Sequence, residues 1–239
     1  MKGVILALQF LTRLPLPRIA ADDADFVAAI RWFPAVGLVV GAVITGAGWA
    51  GSWMDSWTGA LLALLAWAWV TGALHLDGLA DLADATAAAH KGRDRMLAVL
   101  ADPHLGVMGV TALTLQLIAK LILLHGLIEA GAIGGLLLIP FAARIGPLWW
   151  SRCLPSLHDG LGARFRSAVR PVDLTLWTAT LLLAAWWFPA VLSALPLIGL
   201  WGWWVLARIG GISGDSHGAG IELVESALLL IMLILAHAA

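Results

Sequence analysis

The sequence predicts an all-α fold: a polytopic transmembrane helical bundle of about seven spans, preceded by an N-terminal interfacial or re-entrant helix. Of the 239 residues, 61% are hydrophobic and only 12% are charged, which is about half the charged fraction of a typical soluble domain. The mean hydropathy is +0.93. Apolar stretches of about 18 residues or more recur along the chain, and each could cross a hydrocarbon core ~30 Å thick.

The net charge and the cysteine content narrow the range of partners. The net charge is −1, so the chain lacks the basic excess that would attract nucleic acid. Its single cysteine, Cys153, cannot form an internal disulfide. We therefore expect membrane lipid and small molecules as partners and no nucleic acid, and we leave open whether the chain forms an oligomer.

The N-terminal segment, residues 1–18, has the apolar length of a signal peptide but lacks its other features. Lys2 precedes the apolar run, yet no small-residue cleavage site follows it. Arg13, Pro15 and Pro17 interrupt the run early. We therefore predict that this segment is retained as an interfacial or re-entrant helix.

The predicted transmembrane spans follow in order along the rest of the chain. They lie near residues 33–50, 57–76, 105–125, 131–150, 174–190, 192–209 and 221–238. Pro189 and Pro196 divide the fifth from the sixth as a tight hairpin, because proline ends or kinks a helix. The sequence contains no internal repeat and no low-complexity linker, so we expect one integral membrane domain over residues 1–239.

The basic residues outside the spans predict the orientation. With seven spans they all fall on one side of the membrane: Lys2, Arg13, Arg18, Arg31, Lys91, Arg93, Arg95, Arg152, Arg164, Arg166, Arg170 and Arg208. The opposite loops contain only Asp55 and Glu129 as charged groups. The positive-inside rule then places the N-terminus in the cytoplasm and the C-terminus outside. An active site built from the polar loops would face the cytoplasm.

Three aspartates follow the second span in HLDGLADLAD, residues 75–84. If the helix continues through residue 84, then Asp77, Asp81 and Asp84 share a stripe about 60° wide. Like charges one turn apart repel, and burial near lipid raises the cost of each charge. Mg²⁺ would remove the conflict, because it accepts a few carboxylates and fills its shell with water and substrate phosphates. We therefore predict a Mg²⁺ site; the alternative is that these residues merely face water at a helix end.

The segment after this stripe contributes further candidates. Arg93 and Arg95 are predicted phosphate contacts for a metal-bound anionic substrate, although the positive-inside bias alone would also explain them. Asp102 precedes Pro103 at the entry to the third span. The sequence leaves open whether Asp102 is a further metal ligand or a helix cap.

A second polar cluster, GGISGDSHGAGIELVE, covers residues 210–225. Its glycines would allow backbone amides to face an anion. Asp215 could bind a metal or a sugar hydroxyl, and His217 could act in acid–base chemistry. Glu222 and Glu225 enter the last apolar span together, and ionisable groups inside a span are costly and usually functional.

Lys120 and Arg144 are predicted intramembrane cations. Each is a plausible partner for phosphate or for the two glutamates of the last span. Snorkelling to the interface is the alternative, and it is difficult for Lys120, which lies near the middle of its span.

Together these motifs resemble the cobalamin synthase family, from the first residues to the last span. FLTRLPLPR, GALHLDGLADLAD, RDRMLAVLADPHLG, the span with Lys120, and GGISGDSHGAGIELVE occur in the order seen in that family. Two positions depart from the family pattern. Ala85 stands where glycine usually follows the third aspartate, and Ser213 stands where threonine is common. Neither departure removes a candidate ligand.

The resemblance implies an adenosylcobinamide-GDP ribazoletransferase that uses Mg²⁺. In that reaction a ribose hydroxyl of α-ribazole, or of its 5′-phosphate, attacks the cobinamide-linked phosphorus of adenosylcobinamide-GDP, and GMP leaves. Asp77, Asp81 and Asp84 would be the main metal ligands, with Asp102 as a further candidate. His75, Asp215 or His217 would serve as the base, without a choice among them. The candidate substrate contacts are Arg93, Arg95, Lys120, Arg144, Glu222 and Glu225.

Two other functions compete with this expectation. DLADA has the Asp-x-x-Asp spacing that opens the signature of CDP-alcohol phosphotransferases, which would make the chain a phospholipid synthase. Ala85 and Ala89 occupy the places of the glycine and arginine expected next, which counts against it. An ion-coupled transporter is less favoured, because it would usually show repeated halves and charges near mid-membrane. A structural subunit would leave the aspartate stripe unexplained.

Overall fold

The chain folds as a bundle of α-helices in the computed structural model, which describes residues 2–158 and 160–238. In chain order the helices are α1 Lys2–Leu11, α2 Asp23–Ala28, α3 Phe33–Ser52, α4 Ser56–Thr71, α5 Leu74–Ala88, α6 Arg93–Leu100, α7 Val107–Glu129, α8 Ile139–Ala143, α9 Gly146–Cys153, α10 Leu161–Ala168, α11 Pro171–Ala184, α12 Ala194–Arg208 and α13 Gly214–Ala238. The described residues contain no β structure beyond one isolated bridge between Ser156 and Ile212. The predicted all-α class is confirmed.

The predicted number of spans is approximate. Within the described residues, five helical segments are long and apolar enough to cross a membrane: Asp23–Ser52, Val107–Glu129, Ile133–Cys153, Pro189–Arg208 and Gly214–Ala238. A sixth candidate is the pair formed by Ser56–Thr71 and Leu74–Lys91. The predicted span at 174–190 corresponds to α11, whose 14 residues extend roughly 21 Å at the rise of an α-helix.

The second predicted span is broken rather than continuous. The helix ends at Thr71, and the next helix leaves at an angle of 85°. Gly72 and Ala73 both have φ of 58°, in the left-handed region, where a non-glycine residue such as Ala73 is disfavoured. The N-terminal segment packs at this break, where the Arg13 amide donates to the Val70 carbonyl at 2.8 Å. Helix α5 therefore begins in a new direction, with the aspartates on it.

The fourth span is assembled from short pieces. A 3₁₀ segment at Ile133–Leu137 leads into α8, and α9 follows. Pro140 and Pro147 lie in the first turns of α8 and α9, where a missing N–H does no harm. This span is the most enclosed of the candidates, with 72% of its apolar window buried. Its interior position brings Arg144, between α8 and α9, into the centre of the bundle.

Helix α13 forms the other side of the site. Its first turn is capped reciprocally: the Ser213 amide donates to Ser216 Oγ at 2.7 Å, and the Ser216 amide donates to Ser213 Oγ at 3.2 Å. A threonine at position 213 would supply the same hydroxyl. Helix α13 packs along α5 and α7. Asp215 and Gly218, in its first turns, lie against Gly78 and His75 of α5.

Candidate active site

Two glycines allow the two polar clusters to meet. A Cβ added to Gly78 of α5 would lie 2.9 Å from Cα and O of Asp215 on α13. A Cβ added to Gly218 would lie 3.2 Å from the carbonyl oxygen of His75. Side chains at these positions would force the helices apart, because such contacts are shorter than van der Waals contact. HLDGLAD and GDSHG are therefore in direct backbone contact.

A cavity of about 200 Å³ opens between these helices. Four of the predicted site residues line it: His75, Asp77, Asp215 and His217. Apolar side chains of α1, α3, α9, α10 and α13 complete the wall, among them Phe10 and Phe165. A few convergent polar groups among apolar walls are the usual lining of a small-molecule site, although this cavity is smaller than the ~300–1,000 Å³ of such sites. It is the candidate active site.

The three predicted metal ligands all lie on α5, as the helical stripe requires. Asp77 is exposed, whereas Asp81 and Asp84 are half-buried. The negative charges of Asp77, Asp215 and Asp84 all act on Asp81, which is therefore surrounded by like charge. Carboxylates gathered in this way attract a cation. In the described part of the chain, however, no three His, Cys, Asp or Glu side chains are close enough to hold a metal ion among themselves, so the Mg²⁺ site stays a prediction.

Asp84 has a contact that the sequence did not indicate. Its carboxylate accepts hydrogen bonds from the backbone amides of Gly106 at 2.7 Å and Gly109 at 3.0 Å. These amides belong to the N-terminus of α7, where a negative charge is favourable because the first amides of a helix lack partners. Asp84 therefore ties α5 to α7, whatever else it binds.

Asp102 accepts its two hydrogen bonds from His104, which precedes α7. Its Oδ1 lies 2.7 Å from His104 Nδ1 and accepts from the His104 amide at 3.0 Å. These hydrogen bonds, from the side chain and then from the backbone, lower the pKa of Asp102. The cap of α7 that the sequence considered for Asp102 is thus supplied by Asp84, and Asp102 stabilises an exposed turn. Its role as a metal ligand stays a prediction.

Asp215 and His217 stand at the start of α13 with different surroundings. Asp215 is half-buried, and its Oδ2 lies 3.5 Å from the Ser213 hydroxyl. His217 is buried, its Nε2 lies 3.2 Å from Ser151 Oγ, and its ring stacks on Trp150. Both side chains line the cavity. Both therefore remain candidates for the base.

The four ionisable groups predicted inside the membrane form one buried network. Lys120 Nζ lies 2.7 Å from Glu222 Oε2 and 2.8 Å from Glu225 Oε2, and Arg144 Nη1 lies 2.8 Å from Glu225 Oε1. All four are at most 3% exposed. Two positive and two negative charges leave the network neutral, which offsets the cost of burying each of them. The sequence left open whether Lys120 and Arg144 pair with phosphate or with the glutamates, and the structure shows ion pairs with the glutamates. A contact between substrate and any residue of this network stays a prediction.

Several residues that the sequence did not single out join this network. Gln116 Nε2 donates to Glu222 Oε2 at 2.9 Å and to Ser226 Oγ at 2.9 Å. Lys120 Nζ also lies 3.9 Å from the centroid of the Trp67 ring, a cation–π contact. The sequence does contain one indication that Gln116 belongs to this network: Gln116 and Lys120 are polar residues one turn apart on an otherwise apolar helix.

The network reaches the cavity through one contact. Arg144 Nη2 lies 3.4 Å from His75 Nδ1, and His75 lines the cavity.

The predicted phosphate contacts lie elsewhere. Arg93 and Arg95 are exposed on α6, and Arg93 Nη1 reaches the Ile209 carbonyl at 3.5 Å. Arg93 thus lies beside the glycine-rich segment before α13, and the structure shows no such contact for Arg95 among the described residues.

Comparison with known proteins identifies the family. The family described as cobalamin-5-phosphate synthase matches residues 3–233. A protein of Novosphingobium aromaticivorans named adenosylcobinamide-GDP ribazoletransferase is 61% identical, covering 96% of this chain and 95% of that protein. Proteins of the same name from Thiobacillus denitrificans and Brevibacillus brevis are 48% and 33% identical, covering 97% of this chain and 94% and 98% of those proteins. No solved structure matches. The chain belongs to the cobalamin-5-phosphate synthase family.

Proposed function

We propose that the chain is an integral membrane transferase that joins α-ribazole, or its 5′-phosphate, to adenosylcobinamide-GDP and releases GMP. One observation carries the proposal: the aspartate helix α5 and the start of α13 meet around a cavity lined by His75, Asp77, Asp215 and His217. The full-length similarity to proteins named adenosylcobinamide-GDP ribazoletransferase supports it.

The carboxylates beside the cavity suit Mg²⁺. Asp77 and Asp81 are one turn apart on α5, and the Asp215 charge acts on Asp81 from α13. Mg²⁺ needs only one or two protein carboxylates, since it retains water and takes phosphate oxygens from the substrate. Asp77 and Asp81 would hold it, with Asp84, Asp102 and Asp215 as further candidates. When bound, it would neutralise the charge that develops on the phosphates.

The side chains around the cavity have distinct tasks in this proposal. The acceptor hydroxyl forms a bond to the cobinamide-linked phosphorus, the bond from that phosphorus to the GMP oxygen breaks, and the hydroxyl proton passes to a base. His75, Asp215 and His217 are the candidates for that base, because all three line the cavity. Arg93 and Arg95, exposed on α6, would contact the phosphates of the nucleotide. A direct substrate contact from Lys120 or Arg144 would require one of their buried ion pairs to open.

The location of the site is part of the proposal. In the predicted seven-span path the basic loop residues fall on the side that carries α5 and α6, and such residues are retained in the cytoplasm. The site would therefore face the cytoplasm from a bacterial inner membrane, with the N-terminus inside and the C-terminus outside.

The decisive experiment is an assay of the purified protein in nanodiscs with adenosylcobinamide-GDP, α-ribazole and Mg²⁺. We expect release of GMP, which stops with a chelator and returns with added Mg²⁺. Asp81→Asn should lower the rate by at least about 100-fold while membrane insertion is retained. Glu129→Gln, an exposed carboxylate at the far end of α7, is the matched control and should be neutral. No GMP above empty nanodiscs, or turnover of CDP-diacylglycerol instead, would refute the proposal.

A further inference from the structure

His75 has an asymmetric environment that determines where its proton lies. The side chain is buried, and Nδ1 lies 3.4 Å from Arg144 Nη2. A guanidinium offers only N–H donors and no acceptor. Nδ1 must therefore be the acceptor in this contact, so that it carries no proton. The proton of the neutral imidazole then sits on Nε2.

Arg144 is held firmly enough to impose this choice. Its Nη1 donates to Glu225 Oε1 at 2.8 Å and to the Pro140 carbonyl at 3.1 Å. The second oxygen of Glu225 is occupied by Lys120 at 2.8 Å. The guanidinium is fully buried, and it is planar, so fixing Nη1 also fixes the direction of Nη2. Arg144 therefore presents one N–H to His75 from a rigid support.

The opposite nitrogen of the ring has no acceptor. Nε2 of His75 is buried and makes no hydrogen bond within the described residues. His75 belongs to the wall of the cavity that also contains Asp77, Asp215 and His217. A buried donor without a partner is unfavourable. Solvent does not reach Nε2 in this structure, so an oxygen of a bound substrate would satisfy it only when the cavity opens to that nitrogen.

We propose that Arg144 is a positioning residue that holds His75 as the Nε2–H tautomer, and that His75 donates a hydrogen bond to a phosphate oxygen of the substrate. The proposal rests on the function proposed above and assigns His75 its role in it. With the lone pair of Nδ1 directed at Arg144 and Nε2 already protonated, the ring has no free nitrogen with which to remove a proton. The base is then Asp215 or His217.

Two substitutions of His75 test whether its side chain donates a hydrogen bond to the substrate or removes a proton from it. Glutamine retains an N–H near the position of Nε2 but cannot remove a proton, whereas leucine has neither function. We expect kcat for His75→Gln to stay within about tenfold of the unsubstituted protein, and kcat for His75→Leu to fall on the order of 100-fold. Equal losses in both variants would overturn the donor role. Failure of the unsubstituted protein to release GMP would instead refute the proposed function.

The tautomer can be measured without any reaction. ¹⁵N NMR of protein labelled at histidine nitrogens, in nanodiscs without substrate, distinguishes protonated from unprotonated ring nitrogens, and the His75→Gln spectrum assigns the signals. We expect a protonated Nε2 and an unprotonated Nδ1 for His75. Arg144→Lys, which keeps the charge beside Glu225, should give a mixture of tautomers in protein that still inserts. A protonated Nδ1 in the unsubstituted protein, or an unchanged single tautomer in Arg144→Lys, would overturn the proposal.

Discussion

At the scale of single residues, the site depends on two glycines at the contact between α5 and α13. Gly78 contacts the backbone of Asp215, and Gly218 contacts the backbone of His75. The aspartates and the histidines share one cavity because α5 and α13 approach at these two points without intervening Cβ atoms. A glycine in a helix costs about 1 kcal/mol relative to alanine, and here that cost is offset by the close packing it permits.

Replacing Gly78 tests this contact. In Gly78→Ala the new Cβ would lie 2.9 Å from two backbone atoms of Asp215, and since backbone atoms cannot rotate away, the helices must shift. We expect GMP release to fall by at least about tenfold, because small displacements in a site are costly, and we expect a lower melting temperature. Gly46→Ala is the control: no atom lies within 4 Å of its added Cβ, and it should be neutral or slightly stabilising. Normal activity in Gly78→Ala would refute the packing argument.

At the scale of elements, a neutral cluster of charges joins three parts of the bundle. Lys120 comes from α7, Arg144 from the junction of α8 and α9, and Glu222 and Glu225 from α13. The pairs are satisfied only when these elements are in the observed register, since a buried charge without its partner is expensive. The cluster therefore fixes the depth of α13 relative to α7.

A single and a double variant test whether charge neutrality stabilises this cluster. Lys120→Met leaves Glu222 without a cation and should lower the free energy of unfolding by about 3–5 kcal/mol. Adding Glu222→Gln restores neutrality, because Arg144 still pairs with Glu225 at 2.8 Å. Thermal unfolding in detergent should therefore show the double variant to be clearly more stable than the single one. A double variant that is equally or less stable would contradict charge balance as the organising principle.

At the scale of the whole molecule, one contact constrains the path of the chain. The start of α13 lies against α5, so both are on the same side of the membrane and an even number of crossings separates them. Val107–Glu129, Ile133–Cys153 and Pro189–Arg208 supply three. We therefore predict that the short helix α11, Pro171–Ala184, is the fourth crossing. With α3, α4 and α13 this path would have seven crossings, the number expected from the sequence.

The resulting topology can be tested by labelling. Arg31 donates to the Ala168 carbonyl at 2.6 Å, which places the chain before α3 on the same side as the α9–α11 connection. Seven crossings then put the two termini on opposite sides. In a Cys153→Ser background, a cysteine at Ala101 should react only from the cytoplasm and one at Ala130 only from outside. Labelling of both positions from one side would exclude this path.

The sequence by itself determined the fold class of the protein and its family. Hydropathy and charge asymmetry predict an α-helical membrane bundle, because lipid requires apolar spans with internally satisfied backbones. Asp77 of the helical stripe and the first turns of α13, which belong to the glycine-rich motif, line the observed cavity. These features are local, so they could be deduced from spacing along the chain.

Only the tertiary structure decided which of these groups meet and which partners they take. The capping of α7 by Asp84 and the contact of Arg144 with His75 join residues far apart in sequence. Spacing carries no information about such contacts, since they depend on how short and broken helices pack. For the same reason the sequence could not choose among His75, Asp215 and His217 as the base. The fold gives each of these side chains different neighbours.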